Sequence, residues 1–131
     1  MSYESRIYIG VRTHNEGTKA RIDYVSNLAT FDLGTVDIDG FYDLFEREID
    51  FKLYGENNMP IRTDKYGDEC KYASFDSLKY FFEENEIDKY YYPTLYAFSK
   101  YIKGLEEVIG SYEYGSGDGS FEEVVFVHFG Y

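Results

Sequence analysis

Cysteine occurs once in the 131 residues, at Cys70, so the sequence offers neither an internal disulfide nor a multi-cysteine zinc site, and a reducing cytoplasm is the expected setting. Long apolar runs are also missing. The longest stretches, such as Val124-Val125-Phe126-Val127, fall far short of the roughly 20 residues needed to span a bilayer. Met1 is followed closely by charged Glu4 and Arg6, so neither a signal peptide nor a membrane span is expected. Basic residues are scarce: 13 Lys and Arg stand against 25 Asp and Glu, for a net charge of −12. Such a balance repels nucleic acid and attracts basic surfaces. P-loop, GxGxxG, HExxH and GxSxG patterns are absent, as are internal repeats, linkers and low-complexity tracts.

What the chain does have is aromatic mass. Hydrophobic residues make up 44%, including 11 Phe and 16 Tyr, more than a disordered acidic tail carries, so the chain is expected to fold. Its length suits one domain, 1–131. The acidity is localised: segments 32–50 and 83–131 carry net charges of −6 and −7, whereas 1–31 and 51–82 are near neutral.

The patterning predicts an α+β fold, mainly an antiparallel sheet with about three helices packed against it. Ile7, Ile9 and Val11 alternate with Tyr8, Gly10 and Arg12, the period of a half-buried strand. A turn at 14–18 and β character over 20–33, with Ala29, Phe31 and Leu33 on one face, complete a hairpin or meander. Phe41, Leu44, Phe45 and Ile49 predict a first helix over 39–50, capped by Asp37 or Asp39. On its opposite face Asp39, Asp43, Glu46 and Asp50 would form an acid stripe, although Glu48 falls inside the apolar arc and suggests an early end. A short strand at 51–54, a turn at 55–60 and a strand near Ile61 follow. Ser74 caps a second helix running to Glu84 with Leu78, Phe81 and Phe82 inward, and Pro93 opens a third, marked by Leu95, Phe98, Ile102, Leu105 and Ile109. Strands at 111–114 and 121–129 flank a glycine-rich tip at 115–119. The last strand is apolar on both faces and should lie centrally.

Residues 35–46 can be aligned with a calcium loop, since Asp37, Asp39, Asp43 and Glu46 are spaced as ligands with Gly40 between them. Thr35 replaces the first carboxylate, however, and a strand precedes it instead of a helix. An acid-rich helix N-terminus explains the same residues. The adjacent pairs Glu83-Glu84, Glu106-Glu107 and Glu122-Glu123 cannot oppose one another across a cleft as glycosidase carboxylates do, and read as a solvated face. His14, His128 and Cys70 show no pairing of nucleophile with base. Tyr90-Tyr91-Tyr92 could stack on bases, but it follows Glu83, Glu84, Glu86 and Asp88, which would repel phosphates. Tyrosines beside acids suit a protein interface instead, or a tyrosine-rich core.

Ser5-Arg6-Ile7-Tyr8-Ile9, Ala29-Thr30-Phe31-Asp32-Leu33, Asp64-Lys65-Tyr66-Gly67-Asp68 and His128-Phe129-Gly130-Tyr131 resemble small acidic phage and prophage proteins of Gram-positive hosts. Asn15-Glu16-Gly17 is similar to the start of ArdA-type antirestriction proteins. The resemblance implies an anti-CRISPR or anti-restriction inhibitor in the host cytoplasm, acting by DNA mimicry on a basic, nucleic-acid-binding host protein, with no cofactor. Helical carboxylates at i, i+3 and i+4 lie roughly 5–6 Å apart, comparable with phosphates along one strand. The partner-binding candidates are therefore Asp39, Asp43, Glu46 and Asp50, then Glu83, Glu84, Glu86 and Asp88 with Tyr90 and Tyr91. A calcium- or ligand-binding module and an enzyme remain the alternatives.

Overall fold

Alternating side chains build the sheet, and the computed structural model describes residues 3–15, 24–51, 61–109 and 120–131. In β1 (Ser5–Asn15), Ile7 and Ile9 point to one face and Tyr8 to the other, as the two-residue period dictates. β1 pairs antiparallel with β2 (Tyr24–Gly34) and with β5 (Ser120–Gly130). β5 pairs antiparallel with β4 (Lys71–Ser74), and β4 with the two-residue β3 (Arg47–Glu48). The order among the described residues is β2-β1-β5-β4-β3, which makes β5 the middle strand. Its composition requires that place. Val124 and Phe126 are buried on one face and Val125 and Val127 on the other, and a strand apolar on both sides is stable only between two covering layers.

Two helices cover the first face. β4 runs into α1 (Phe75–Glu84) without a loop: Ser74 ends the strand in extended geometry, and its Oγ accepts the Ser77 N–H at 3.3 Å. Leu78, Phe81 and Phe82 bury the inner face of α1, and at its end the backbone N–H and Nδ2 of Asn85 both donate to the Phe81 carbonyl. Pro93 opens α2 (Pro93–Ile109), where its missing N–H leaves nothing unsatisfied. Leu95, Phe98 and Ile102 are buried against Ile7, Ile9 and Phe126, with Leu105 at the margin. The second face has a smaller core of Phe51, Ile61, Cys70, Tyr72, Val125 and Val127, bordered by Tyr8, Ile49 and Phe129. Among the described residues, chain around 49–51 and 61–70 supplies its covering residues.

The helix expected over 39–50 is absent. Gly40 has φ +87°, outside the right-handed helical region, and only a single 3-10 turn forms, at Tyr42–Leu44. No side chain caps it, neither Asp37 nor Asp39. The apolar spacing is satisfied differently. Phe41 and Phe45 enter the helix-side core, then the chain extends as β3, pairs Arg47 with Tyr72, and delivers Ile49 and Phe51 to the opposite face. Short helices are marginal without a continuous packed face, and strand pairing wins here. The strand expected near Ile61 is reduced to an isolated bridge, Thr63 with Glu69, while His14 belongs to β1 and not to a turn. The remaining expectations at 16–18, 20–23, 52–60 and 111–119 lie outside the described residues. Among those described, no helix is long and apolar enough to cross a membrane.

Candidate functional site

Loss of the first helix disperses its acid stripe. Asp39, Asp43, Glu46 and Asp50 are all exposed, but they lie on a turn, a 3-10 segment and the flanks of β3, and share no helical face. Asp50 has a structural partner. Its Oδ1 lies 2.9 Å from Nη1 of Arg12, whose side chain is only 3% exposed, and the guanidinium sits 5.0 Å from the centre of the Phe51 ring. A buried cation needs a counter-charge. Asp50→Asn is expected to lower stability by about 1–2 kcal/mol, read as a shifted urea midpoint, because it weakens a charge-assisted bond to a desolvated group. Asp37, Asp39, Asp43 and Glu46 likewise form no ion cage: among the described residues no cluster of three or more His, Cys, Asp or Glu could hold a metal.

The second predicted set is brought together. Glu83 and Glu84 close α1, and exposed Glu86 and Asp88 follow on the connection to α2. Asp88 Oδ1 accepts the backbone N–H of Tyr90 at 2.8 Å and of Tyr91 at 3.2 Å, while the Asp88 carbonyl accepts from Tyr92 N–H at 2.8 Å. This clamp fixes a knuckle. It leaves Tyr90 87% and Tyr91 81% exposed, and Tyr80 on α1 is exposed as well. Tyr92 turns inward instead, packing on the core and donating from its hydroxyl to the Asp37 carbonyl. The tyrosine run thus divides between the two readings open from sequence, Tyr90 and Tyr91 outward and Tyr92 toward the core. Across residues 83–91 four acids face one base, Lys89, whose ammonium rests near the Tyr90 ring. Two of those acids lie in the last turn of α1, where the helix dipole is already negative and no basic residue offsets it.

A separate cleft, which sequence reasoning missed, opens beside His128. Tyr3, Tyr42, Phe45 and His128 line it with Asp64, Asp68, Glu69, Cys70 and Lys71, enclosing about 160 Å³. His128 comes from β5. Its ring lies 5.9 Å from Tyr3, 5.6 Å from Tyr42 and 5.1 Å from Phe45, and its Nε2 hydrogen-bonds Ser5 Oγ at 2.9 Å. The rim is a tight turn. Asp64 Oδ1 accepts from Tyr66 N–H and Asp68 N–H, and Gly67 adopts φ +82°. Lys65 N–H donates to the Gly130 carbonyl and fastens this turn to the end of β5.

Burial sets the protonation states here. The Cys70 thiol is pushed up to about 12 by burial and by Asp64, so it stays protonated and is no nucleophile at neutral pH. Ser5 touches His128 but is fully buried, so its hydroxyl meets no substrate. Burial lowers His128 from 6.5 to about 4, against a smaller opposing pull from Asp64. The unfolded chain therefore takes up this proton at higher pH than the folded one. The contribution of this group to stability is full above about pH 6.5 and is lost as pH drops toward about 4, about 3 kcal/mol in all. Across that window the urea midpoint of the wild type should fall more steeply than that of His128→Gln. Parallel curves would show that His128 is not the group responsible.

The cleft joins positions 3, 42, 45, 64, 68 and 128, and the one local signal within it is the Asp64-to-Gly67 turn. No protein-family model, curated protein or solved structure matches the chain.

Proposed function

We propose that this chain is a non-catalytic binding protein of the phage-encoded inhibitor kind, which docks its acidic knuckle on the basic, nucleic-acid-binding surface of a host protein. The observation that carries this reading is the clamped pair Tyr90 and Tyr91, held outward among Glu83, Glu84, Glu86 and Asp88. Rigid exposed tyrosines supply interface area at little entropic cost, and the surrounding carboxylates steer a positively charged partner. The same charges disfavour direct contact with nucleic acid. DNA mimicry follows if the carboxylates occupy phosphate positions on the partner.

Binding of this kind should be sensitive to salt. The immobilised protein is expected to capture a basic protein from bacterial lysate at about 50 mM salt and release it at about 500 mM or on addition of duplex DNA. Capture that survives charge reversal at Glu83, Glu84, Glu86 and Asp88, or that duplex DNA leaves intact, would rule the reading out.

A further inference from the structure

A second cavity opens where the end of α1 lies against α2, and its charge is opposite to that of its surroundings. It encloses about 130 Å³. Tyr96, Ser99, Lys100 and Lys103 follow one another at steps of three, one and three, so they share a stripe of α2 beside the buried one of Leu95, Phe98 and Ile102. That stripe forms one wall of the cavity, and buried Phe82 and Ile87 supply its apolar surface from the other side.

Between residues 83 and 131 only three bases, Lys89, Lys100 and Lys103, stand among ten acids. Two of the three line this cavity, against one carboxylate, Glu86. Neither is ion-paired among the described residues, and the Lys100 ammonium rests 5.2 Å from the centre of the Tyr96 ring. Side chains three apart on a helix are neighbours, at about 5–6 Å between Cβ atoms, so the two ammoniums repel each other. An anion between them relieves that repulsion.

The remaining polar groups decide what such an anion meets. Ser99, 4% exposed, donates its hydroxyl proton to the Tyr96 carbonyl at 2.6 Å. Asn85 donates one side-chain N–H to the Phe81 carbonyl at 3.0 Å and keeps a second. The donors that remain are two ammoniums and one amide N–H, a set suited to carboxylate oxygens. A bare inorganic anion would leave Phe82 and Ile87 uncovered, whereas a hydrocarbon body removes their surface from water. The volume is slightly below that of the roughly 150 Å³ cavity that holds one benzene ring, which bounds the ligand at about six heavy atoms.

We propose that this cavity binds a short-chain carboxylate, with its oxygens at Lys100, Lys103 and the second N–H of Asn85 and its hydrocarbon body on Phe82 and Ile87. Only Glu86 is shared with the acidic knuckle. The ligand is a small anion and the partner proposed there is a basic protein, so either reading can fail without the other.

The test titrates the full chain with butyrate at constant ionic strength, against its neutral counterpart butyramide and against inorganic phosphate. Binding is followed by calorimetry and by the NMR shifts of the Ser99 and Lys103 backbone amides. Butyrate should move both resonances saturably, with a Kd of about 1 mM, and bind at least about tenfold more tightly than butyramide or phosphate. Lys100→Gln and Lys103→Gln, both at exposed side chains, should each weaken butyrate about threefold or more. Each variant's thermal melt confirms that it is folded. The proposal is overturned if butyrate gives no saturable shift up to about 50 mM, if butyramide or phosphate binds as tightly as butyrate, or if the lysine variants keep wild-type affinity.

Discussion

Phe98→Ala should destabilise the fold by about 3–5 kcal/mol and lower the melting temperature by about 10–15 °C, the largest stability effect expected of any single change considered. Phe98 is fully buried on the inner face of α2. Its ring meets Phe31 of β2 at 5.3 Å, Phe82 of α1 at 5.7 Å and Phe126 of β5 at 6.2 Å, each inclined at 56° or more. Tilted contacts of this kind add to the stabilisation from area alone. The cavity left by alanine would be bounded by three rings on three different elements, none of which can move in without leaving its own packing. The transfer loss is then joined by nearly the full cavity cost. Phe98→Leu, which keeps most of the volume, should lose less than half as much. Urea titration separates the outcomes: a lower midpoint at unchanged slope is expected, and a loss below about 1 kcal/mol would show that Phe98 does not seat α2 on the sheet.

Such a residue was legible because its signal is local. The three- and four-residue steps from Leu95 through Phe98 and Ile102 specify a helix face, Pro93 and Ser74 mark helix starts, and the two-faced apolarity of 124–127 specifies a central strand. The segment 39–50 was misread for a complementary reason. Its apolar residues are spaced at helical intervals, yet Phe45 and Ile49 serve cores on opposite faces of the sheet, and only the pairing of Arg47 with Tyr72 reveals that the chain crosses an edge between them. Gly40 was the visible warning, since a positive φ cannot continue a helix. Asp50 looked like one more surface acid because Arg12, its counter-ion, is 38 positions away in a strand whose buried cation no local pattern announces.

The candidate sites divide in the same way. The knuckle is contiguous, so its acids and tyrosines could be named from sequence, and the structure added only which tyrosines face out. The cleft draws Tyr3, Tyr42, Asp64 and His128 from four separate segments. Strand register makes that meeting: Ile7 opposite His128 and Ser5 opposite Gly130 put the imidazole beside the N-terminal tyrosine. Register is set by the sum of all pairings along two long strands, which no short window of sequence contains.

Tyr90→Ala combined with Tyr91→Ala should weaken binding to the captured partner about 100-fold or more while leaving the melting temperature within a degree or two. Both rings are more than four-fifths exposed, and surface substitutions of this sort change stability by about 0.5 kcal/mol or less. At an interface, buried tyrosines are frequent anchors, each worth about 2 kcal/mol or more. The Asp88 clamp engages backbone N–H groups and so survives the substitutions, which separates loss of ring area from loss of knuckle shape. Charge reversal at Glu83 and Glu84 should act differently, slowing association and flattening the salt dependence more than it speeds dissociation. Surface plasmon resonance on the wild type and these two variants distinguishes the two contributions. If the double tyrosine variant retained wild-type dissociation, the rings would be bystanders and the knuckle's part in binding would be electrostatic alone. If both sets of variants bound as the wild type does, the partner surface would lie elsewhere on the molecule.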